Sequence, residues 1–436
     1  MNPADLSLTR YARFAGLYGA VTHICRADGA FRFERAVERL QAEGYALLSK
    51  NRLEANAYAA LKRPGGGLMH VWHTPCDGEV RITEAPNETP PAFAPAPCEG
   101  DGPSAFYAFE NDHTLIDCGM CLLLQRPDHS FFVVDSGHYL QMNDNDRLYA
   151  FMRERTPAGR RVRIAGWLIT HGHTDHVCKL MDFLRYNTGD VVIEGFYHNL
   201  LPPDYGEWDG NYEETQIARK LLKQLEAFPA PVFILHTGMR FYVRDLCFDV
   251  LSTHEDLHPE PIEDYNDSSA AVMVTAQGTR IFIPGDAAAA ADRKLTARFD
   301  ASLRCHVAQI AHHGHTGLSA RCYEKLGADT VIFPVPRIQY EQDLPRHEAN
   351  RRAAALAHHV FLTGDGTVSV PLPYDRKTVR QLPDETTEDF AKIERLWKYT
   401  YPPEYRHKIR QAFLEHGGDP DAIQLPVSEF GWIEPK

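Results

Sequence analysis

In the stretch LITHGHTDHVCKL, residues 168–180, His171, His173, Asp175 and His176 fall inside six positions, directly after an apolar run. Imidazole nitrogen and carboxylate oxygen are the donors that zinc and similar divalent ions accept. Side chains two apart on an extended segment project to the same side, so His171 and His173 leave the run as a pair. Gly172 between them permits a tight turn, and Thr174 is placed to cap a following helix. Asp175 and His176 then lie in its first turn, aimed back at the same space. His171 and His173 can hold one divalent ion, and Asp175 and His176 a second. The plain alternative is a polar turn with incidental histidines, against which stand four donor-type residues at the mouth of a buried strand.

The elements around this stretch alternate. MCLLLQRPDHSFFVVDSG reads as a hairpin with a fully buried second arm, NDNDRLYAFMRER as a helix, RIAGWLIT as a buried strand and TDHVCKLMDFLRY as a helix. DVVIEGFY is a further strand and YEETQIARKLLKQLEAF an amphipathic helix. Then come PVFILHTG, RFYVRDLCFDVLST, AAVMVTAQGTRIFIPGD, a helix from about Ala288, the strands HVAQIAHHG and DTVIFPV, the helix ANRRAAALA and a hairpin HHVFLTGDGTVSVPL. Such interleaving predicts a layered α/β domain with sheets inside and helices outside. Before it, RFERAVERLQAEGY has helical spacing, whereas NAYAALKR, GLMHVWH and EVRITEA alternate like strands, which predicts a small α+β domain over residues 1–90. The proline-dense segment between them reads as a linker over residues 91–105. The layered domain spans 106–372, and a polar helical extension is expected over 373–436.

The bulk properties bound the rest. Hydrophobic residues make up 44% of the 436 and charged residues 24%, ordinary values for a globular chain. The first thirty residues carry no signal-peptide block and no run is long enough to span a bilayer, so a cytoplasmic, membrane-free protein is expected. Nine cysteines at irregular spacing fit reduced thiols. The net charge of −13 disfavours nucleic acid as partner without excluding it. CGMC at Cys118–Cys121 lacks a second cysteine pair and carries no assigned role.

H-x-H-x-D-H after a buried strand resembles the signature of metallo-β-lactamase-fold hydrolases, an αββα four-layer sandwich. Further motifs follow in the family's order: FFVVDSG, RIFIPGDA and QIAHHGHTG. The resemblance covers roughly residues 106–372. It implies that Asp135 orients a ligand from behind, that Asp286 bridges two ions and that one of His312 and His313 binds the second ion. His313 is favoured as that ligand, with His312 beside the substrate as donor to a developing oxyanion. It also implies a further histidine for the first ion, His254, with His258 in reserve. Gly364-Asp365 in LTGDGTV is read instead as a hairpin turn, and Cys178 as helix packing.

The implied activity is hydrolysis by a hydroxide bridging two divalent ions, zinc first and manganese or iron as alternatives. Asp175 would accept a hydrogen bond from that hydroxide and keep it aimed. The paired HHG and NDSSAAVMV resemble the branch containing the competence-channel nuclease domain and the phosphorylcholine esterases. A small phosphodiester is therefore the expected substrate. The alternatives are acyl hydrolysis of a lactone or β-lactam, and a non-catalytic metal-binding interaction protein. GFYHNLLPPDYGEWDGNYEE, with His198, Tyr205 and Trp208, is expected to wall the substrate pocket. The N-terminal domain is expected to act as a lid or as a homodimer contact.

Overall fold

The structure, a computed structural model, describes residues 8–27, 29–113, 116–141, 144–205 and 212–382. Trp208 and residues 383–436 of the expected helical extension lie outside these.

The first strands, β1 (Leu8–Ala15), β2 (Val21–Ala27), β3 (Ala46–Leu53), β4 (Asn56–Lys62), β5 (Leu68–Thr74) and β6 (Glu79–Ala85), form one antiparallel sheet ordered β1-β2-β6-β5-β4-β3. Helix α1 (Phe33–Ala42) buries Phe33, Ala36, Val37 and Leu40, the i, i+3, i+4, i+7 stripe of an amphipathic helix. The stripe lies on Ala57, Ala59, Leu61 and Val71. The opposite face of the sheet, with Tyr58, Ala60 and Trp72, joins the main hydrophobic core. This sheet is thus seated on the rest of the molecule.

The main body has two packed sheets. The second sheet contains β7 (Ala105–Ala108), β8 (Cys121–Gln125), β9 (Ser130–Asp135), β10 (Val162–Ile169), β11 (Val191–Ile193), β12 (Phe196–His198) and β13 (Val232–Ile234). The third contains β14 (Arg240–Val243), β15 (Leu246–Ser252), β16 (Ala271–Ala276), β17 (Thr279–Ile283), β18 (Val307–Gln309), β19 (Thr330–Phe333) and β20 (His359–Leu362), in that order. Leu122, Leu124, Phe132, Val134 and Leu168 of the second sheet share one core with Phe248, Val250, Val272, Val274 and Ile281 of the third. Helices α2 (Asp144–Glu154), α3 (Thr174–Tyr186) and α4 (Tyr212–Ala227) cover Leu123, Val133, Ile164, Trp167 and Ile169 on the far side of the second sheet. Of α5 (Ala289–Arg298), α6 (Ala320–Leu326), α7 (Arg337–Asp343) and α8 (Glu348–Leu356), three send Leu295, Leu326 and Ala353 into the core of the third. The result is the four-layer αββα sandwich.

Three expectations change. DVVIEGFY is two short strands, both parallel to β10, interrupted at Glu194-Gly195. HHVFLTGDGTVSVPL is not a hairpin: β20 pairs parallel with β19, while β21 (Val368–Pro371) pairs antiparallel with β7 in the other sheet. Both flanks are apolar, so alternation cannot tell which sheet each strand joins, and Gly366, at φ 126°, turns the chain from one to the other. The described part of the tail holds a single 3-10 turn, Arg376–Thr378, and then a short strand, β22 (Arg380–Gln381), paired with β21. The proline-dense stretch runs along the third sheet, with Ala92 bridging Tyr242 and the Ala96 N–H donating to the Arg244 carbonyl. Among the described residues no helix is long and apolar enough to cross a membrane.

Candidate metal centre

β9 and β10 lie parallel and adjacent, which sets Asp135 at the end of one beside Thr170 at the end of the other. Asp135 is fully buried with a left-handed backbone, φ 53°. Its carboxylate accepts the Thr170 N–H at 2.8 Å and the Thr170 hydroxyl at 2.7 Å. It also accepts His176 Nδ1–H at 2.7 Å. With its one hydrogen given to Asp135, the Thr170 hydroxyl can only accept from His171 Nδ1, 3.1 Å away. His313 Nδ1–H donates to the Pro334 carbonyl at 3.0 Å. All three imidazoles are therefore tied at Nδ1 and present Nε2, as metal-ligating histidines are held.

Those nitrogens meet two carboxylates. His176 Nε2 and His313 Nε2 stand 3.2 Å apart. Asp286 Oδ2 lies 3.1 Å from His176, 3.3 Å from His313 and 3.9 Å from His171. Asp175 Oδ2 lies 2.9 Å from His313. One donor atom from each of Asp175, His176, Asp286 and His313 falls within 4.8 Å of every other, and all four residues are buried. His171 Nε2 and His173 Nδ1 face each other at 3.1 Å beside this group. Asp286 Oδ1 is buried without a hydrogen-bond partner. Burial alone would lower the pKa of His176 and His313, but Asp286 and its neighbouring carboxylates raise His176 well above the ordinary range and His313 to about 10. The point where these side chains meet demands positive charge. The donor set, its orphaned oxygen and its tautomers fit one or two divalent cations.

Supporting residues that sequence reasoning missed come from other elements. Asp286 would ordinarily cap the helix after it; instead Asp267 accepts the Ala288, Ala290 and Ala291 N–H groups at 2.9–3.2 Å. Asp286 is thereby left to face His176. Thr174 is the first helical residue and not the cap, a difference of one position. Its N–H and hydroxyl donate to Glu214 of α4 at 2.9 and 3.1 Å. Gly172 has no left-handed backbone; it is required because a Cβ there would meet the Tyr265 hydroxyl at 2.4 Å. The Tyr265 ring lies 4.8 Å from that of His173.

Asp175, Asp286 and His313 of this cluster line a cavity of about 320 Å³, together with Cys118, Glu214, His312 and His315. His312 is half-buried at its rim, φ 51°, with Nδ1–H donating to the Thr316 carbonyl at 2.6 Å. The Cys118 thiol lies in hydrogen-bond reach of Asp175, and burial and that charge push its pKa well up. A larger cavity, about 740 Å³ and bounded by Tyr11, Arg26 and Arg293, holds none of the four converging residues.

Several expected residues stand elsewhere. His254 Nε2–H donates to Asn199 Oδ1 at 3.0 Å, and its ring packs among Phe14 and His258. The 3-10 turn that carries it is capped by Thr253, and His258 stacks on Phe14 at 3.9 Å. Neither lines the 320 Å³ cavity. Nor do His198 and Tyr205 among the described residues. His198 is fully buried and accepts the Leu200 N–H, while Tyr205 packs against His258. Gly364-Asp365 is remote in role, with Asp365 paired to Arg337, and Cys178 is buried in the helix–sheet core.

A family model described as the metallo-beta-lactamase superfamily matches residues 99–335, more than half of the chain. No curated protein matches. Among solved structures, the metallo-beta-lactamase fold protein YhfI from Bacillus subtilis is similar at 11% identity, over 59% of this chain and 96% of that one, with a TM-score of 0.34. A diphosphatase from the PhnP family matches at 16% identity, over 53% and 85%, with a TM-score of 0.32. CmlA, a diiron beta-hydroxylase from Streptomyces venezuelae, matches at 11% identity, over 62% and 54%, with a TM-score of 0.37.

Proposed function

The chain belongs to the metallo-beta-lactamase superfamily, and from that premise we propose that it is a metal-dependent hydrolase acting on a small phosphodiester. The observation that carries this reading is the convergence of Asp175, His176, Asp286 and His313, of which Asp175, Asp286 and His313 line an open cavity. His171 and His173 would hold one ion, Asp175, His176 and His313 a second, and Asp286 would serve both. Bound divalent ions, of zinc or of manganese or iron, supply Lewis acidity and lower the pKa of coordinated solvent.

The chain's own side chains do the positioning. Asp175, at the cavity wall, accepts a hydrogen bond from the attacking water and keeps its lone pair on the electrophile. Asp135 and Thr170 hold His176 and His171 in the productive tautomer. His312, held at Nδ1 by the Thr316 carbonyl, lines the cavity and would serve as donor to negative charge developing on a phosphoryl oxygen. Asp117 and Glu214 line the same cavity. Their charge and the small volume favour a compact substrate over a polyanion. The HHG and NDSSAAVMV motifs support the phosphodiester branch over acyl transfer.

Elemental analysis of the purified protein, followed by turnover of a nitrophenyl phosphodiester, a nitrophenyl ester, a lactone and a chromogenic β-lactam, tests the proposal. Metal-dependent turnover of the phosphodiester is expected. Turnover confined to the ester, lactone or β-lactam replaces it with acyl hydrolysis. Stoichiometric metal without turnover of any of them replaces it with a non-catalytic metal-binding role.

A further inference from the structure

Three more metal-type donors meet in the interior where the N-terminal sheet is seated on the sandwich. His70 comes from β5, Glu88 from the stretch after β6, and His236 from the turn after β13. His70 Nε2 and His236 Nε2 stand 3.1 and 3.0 Å from the same oxygen, Glu88 Oε2. The three side chains are 3–4% exposed. The two imidazole rings stack with centroids 3.9 Å apart, and both Nε2 atoms reach that one carboxylate oxygen. The far side of each ring is held: His236 Nδ1–H donates to Glu255 Oε1 at 2.7 Å, and His70 Nδ1 shares a hydrogen bond of 2.7 Å with the Tyr58 hydroxyl. A carboxylate or hydroxyl behind an imidazole is the arrangement that fixes a metal-ligating histidine with its other nitrogen forward. Glu88 Oε1 is buried without a hydrogen-bond partner.

We propose that His70, Glu88 and His236 form a second, structural site for a divalent cation of the zinc class, which fastens the N-terminal sheet to the sandwich. Two imidazoles and a carboxylate are a zinc-type donor set. At metal–ligand bonds of about 2.0–2.1 Å, tetrahedral donors lie roughly 3.3 Å apart, so the observed separations need open only slightly. Charge agrees. Glu88 and Glu255 bring two negative charges, which one divalent ion with two neutral imidazoles would balance. The nearby Arg81 and Arg298 are engaged with Glu79, Asp256 and Asp77. Glu88 also borders a cavity of about 100 Å³, with Asn87 and Glu226. The inference does not depend on the hydrolase reading.

Crystals of the full wild-type chain grown with zinc, measured above and below the zinc absorption edge, decide it directly. Anomalous density is expected between His70, Glu88 and His236, whatever the cluster at 171–313 holds. A crystal with none there overturns the proposal. In solution, a stripped variant with His171→Gln, His173→Gln, Asp175→Asn, His176→Gln, Asp286→Asn and His313→Gln, which removes every donor of the first cluster, should still take up one zinc per chain and melt at a higher temperature when zinc is added. Adding Glu88→Gln should abolish both effects. A folded variant that takes up no zinc, or retains it after Glu88→Gln, also overturns the site.

Discussion

Asp135 holds His176 from behind: the carboxylate of one accepts Nδ1–H of the other at 2.7 Å, leaving Nε2 pointed at Asp286. The aspartate reaches this position because its backbone is left-handed, a conformation that asparagine also tolerates. Asp135→Asn should therefore keep the fold and lose the charge behind the ring. We expect zinc affinity to fall by about 10–100-fold, measured by competition with a chromophoric chelator. Unchanged affinity would mean that His176 is oriented by packing alone.

Asp267 caps α5 with three accepted N–H groups, and this relieves Asp286 of that task. Removing a cap costs about 0.5–2 kcal/mol. Asp267→Ala is expected to lose an amount in that range by urea unfolding while retaining its metal content. Loss of metal with no loss of stability would show that Asp267 serves the centre itself.

Gly172 is tied to Tyr265. Gly172→Ala puts a methyl group 2.4 Å from the Tyr265 hydroxyl oxygen but 3.4 Å from the ring carbon that bears it. Overpacking of this kind costs about 1–3 kcal/mol. The double variant Gly172→Ala/Tyr265→Phe should recover most of the loss, because the clashing atom is gone. A thermal-melt double-mutant cycle with no coupling would refute the contact.

Acid should weaken the fold before carboxylates titrate. Burial lowers His198 to about 3, and burial, aided by His236, lowers His254 to about 4. Unfolded histidine titrates near 6.5. Below about pH 6.5 the unfolded chain therefore binds protons that the folded chain refuses, and stability declines as pH falls, by up to about 1.4 kcal/mol per unit for each ring. Urea unfolding at pH 7, 6 and 5 measures the slope, and His198→Gln should flatten it. An unaltered slope would locate the effect elsewhere.

How much of the centre was legible depended on where its parts sit in the chain. His171, His173, Asp175 and His176 are sequence neighbours, so their convergence followed from a strand running into a helix. Asp135, Asp286 and His313 were reachable only through the order of motifs, since nothing local in FFVVDSG or RIFIPGDA says what it faces. Glu214, Tyr265 and Asp267 were invisible because each acts across elements: a carboxylate on α4, a ring over a glycine, a cap borrowed from another loop. His254 is the converse case. A histidine after a strand has the right chemistry, but the capped turn that carries it points it at Asn199. The layers themselves were readable from alternation and helical period. Strands β1 to β3 were not anticipated, as LTRYARFA sends most of its side chains to solvent. The two arms of HHVFLTGDGTVSVPL, apolar on both flanks, hid their separation into different sheets.

That separation has a consequence for how the molecule is made. β7 is among the first strands of the sandwich to leave the ribosome, and its outer neighbour β21 is among the last. Until β21 arrives, the growing chain carries a bare strand margin of the kind that invites mispairing between nascent molecules. The sheet is zipped shut only when synthesis has passed Pro371, so a ribosome stalled before that point would release a product with an adhesive flank.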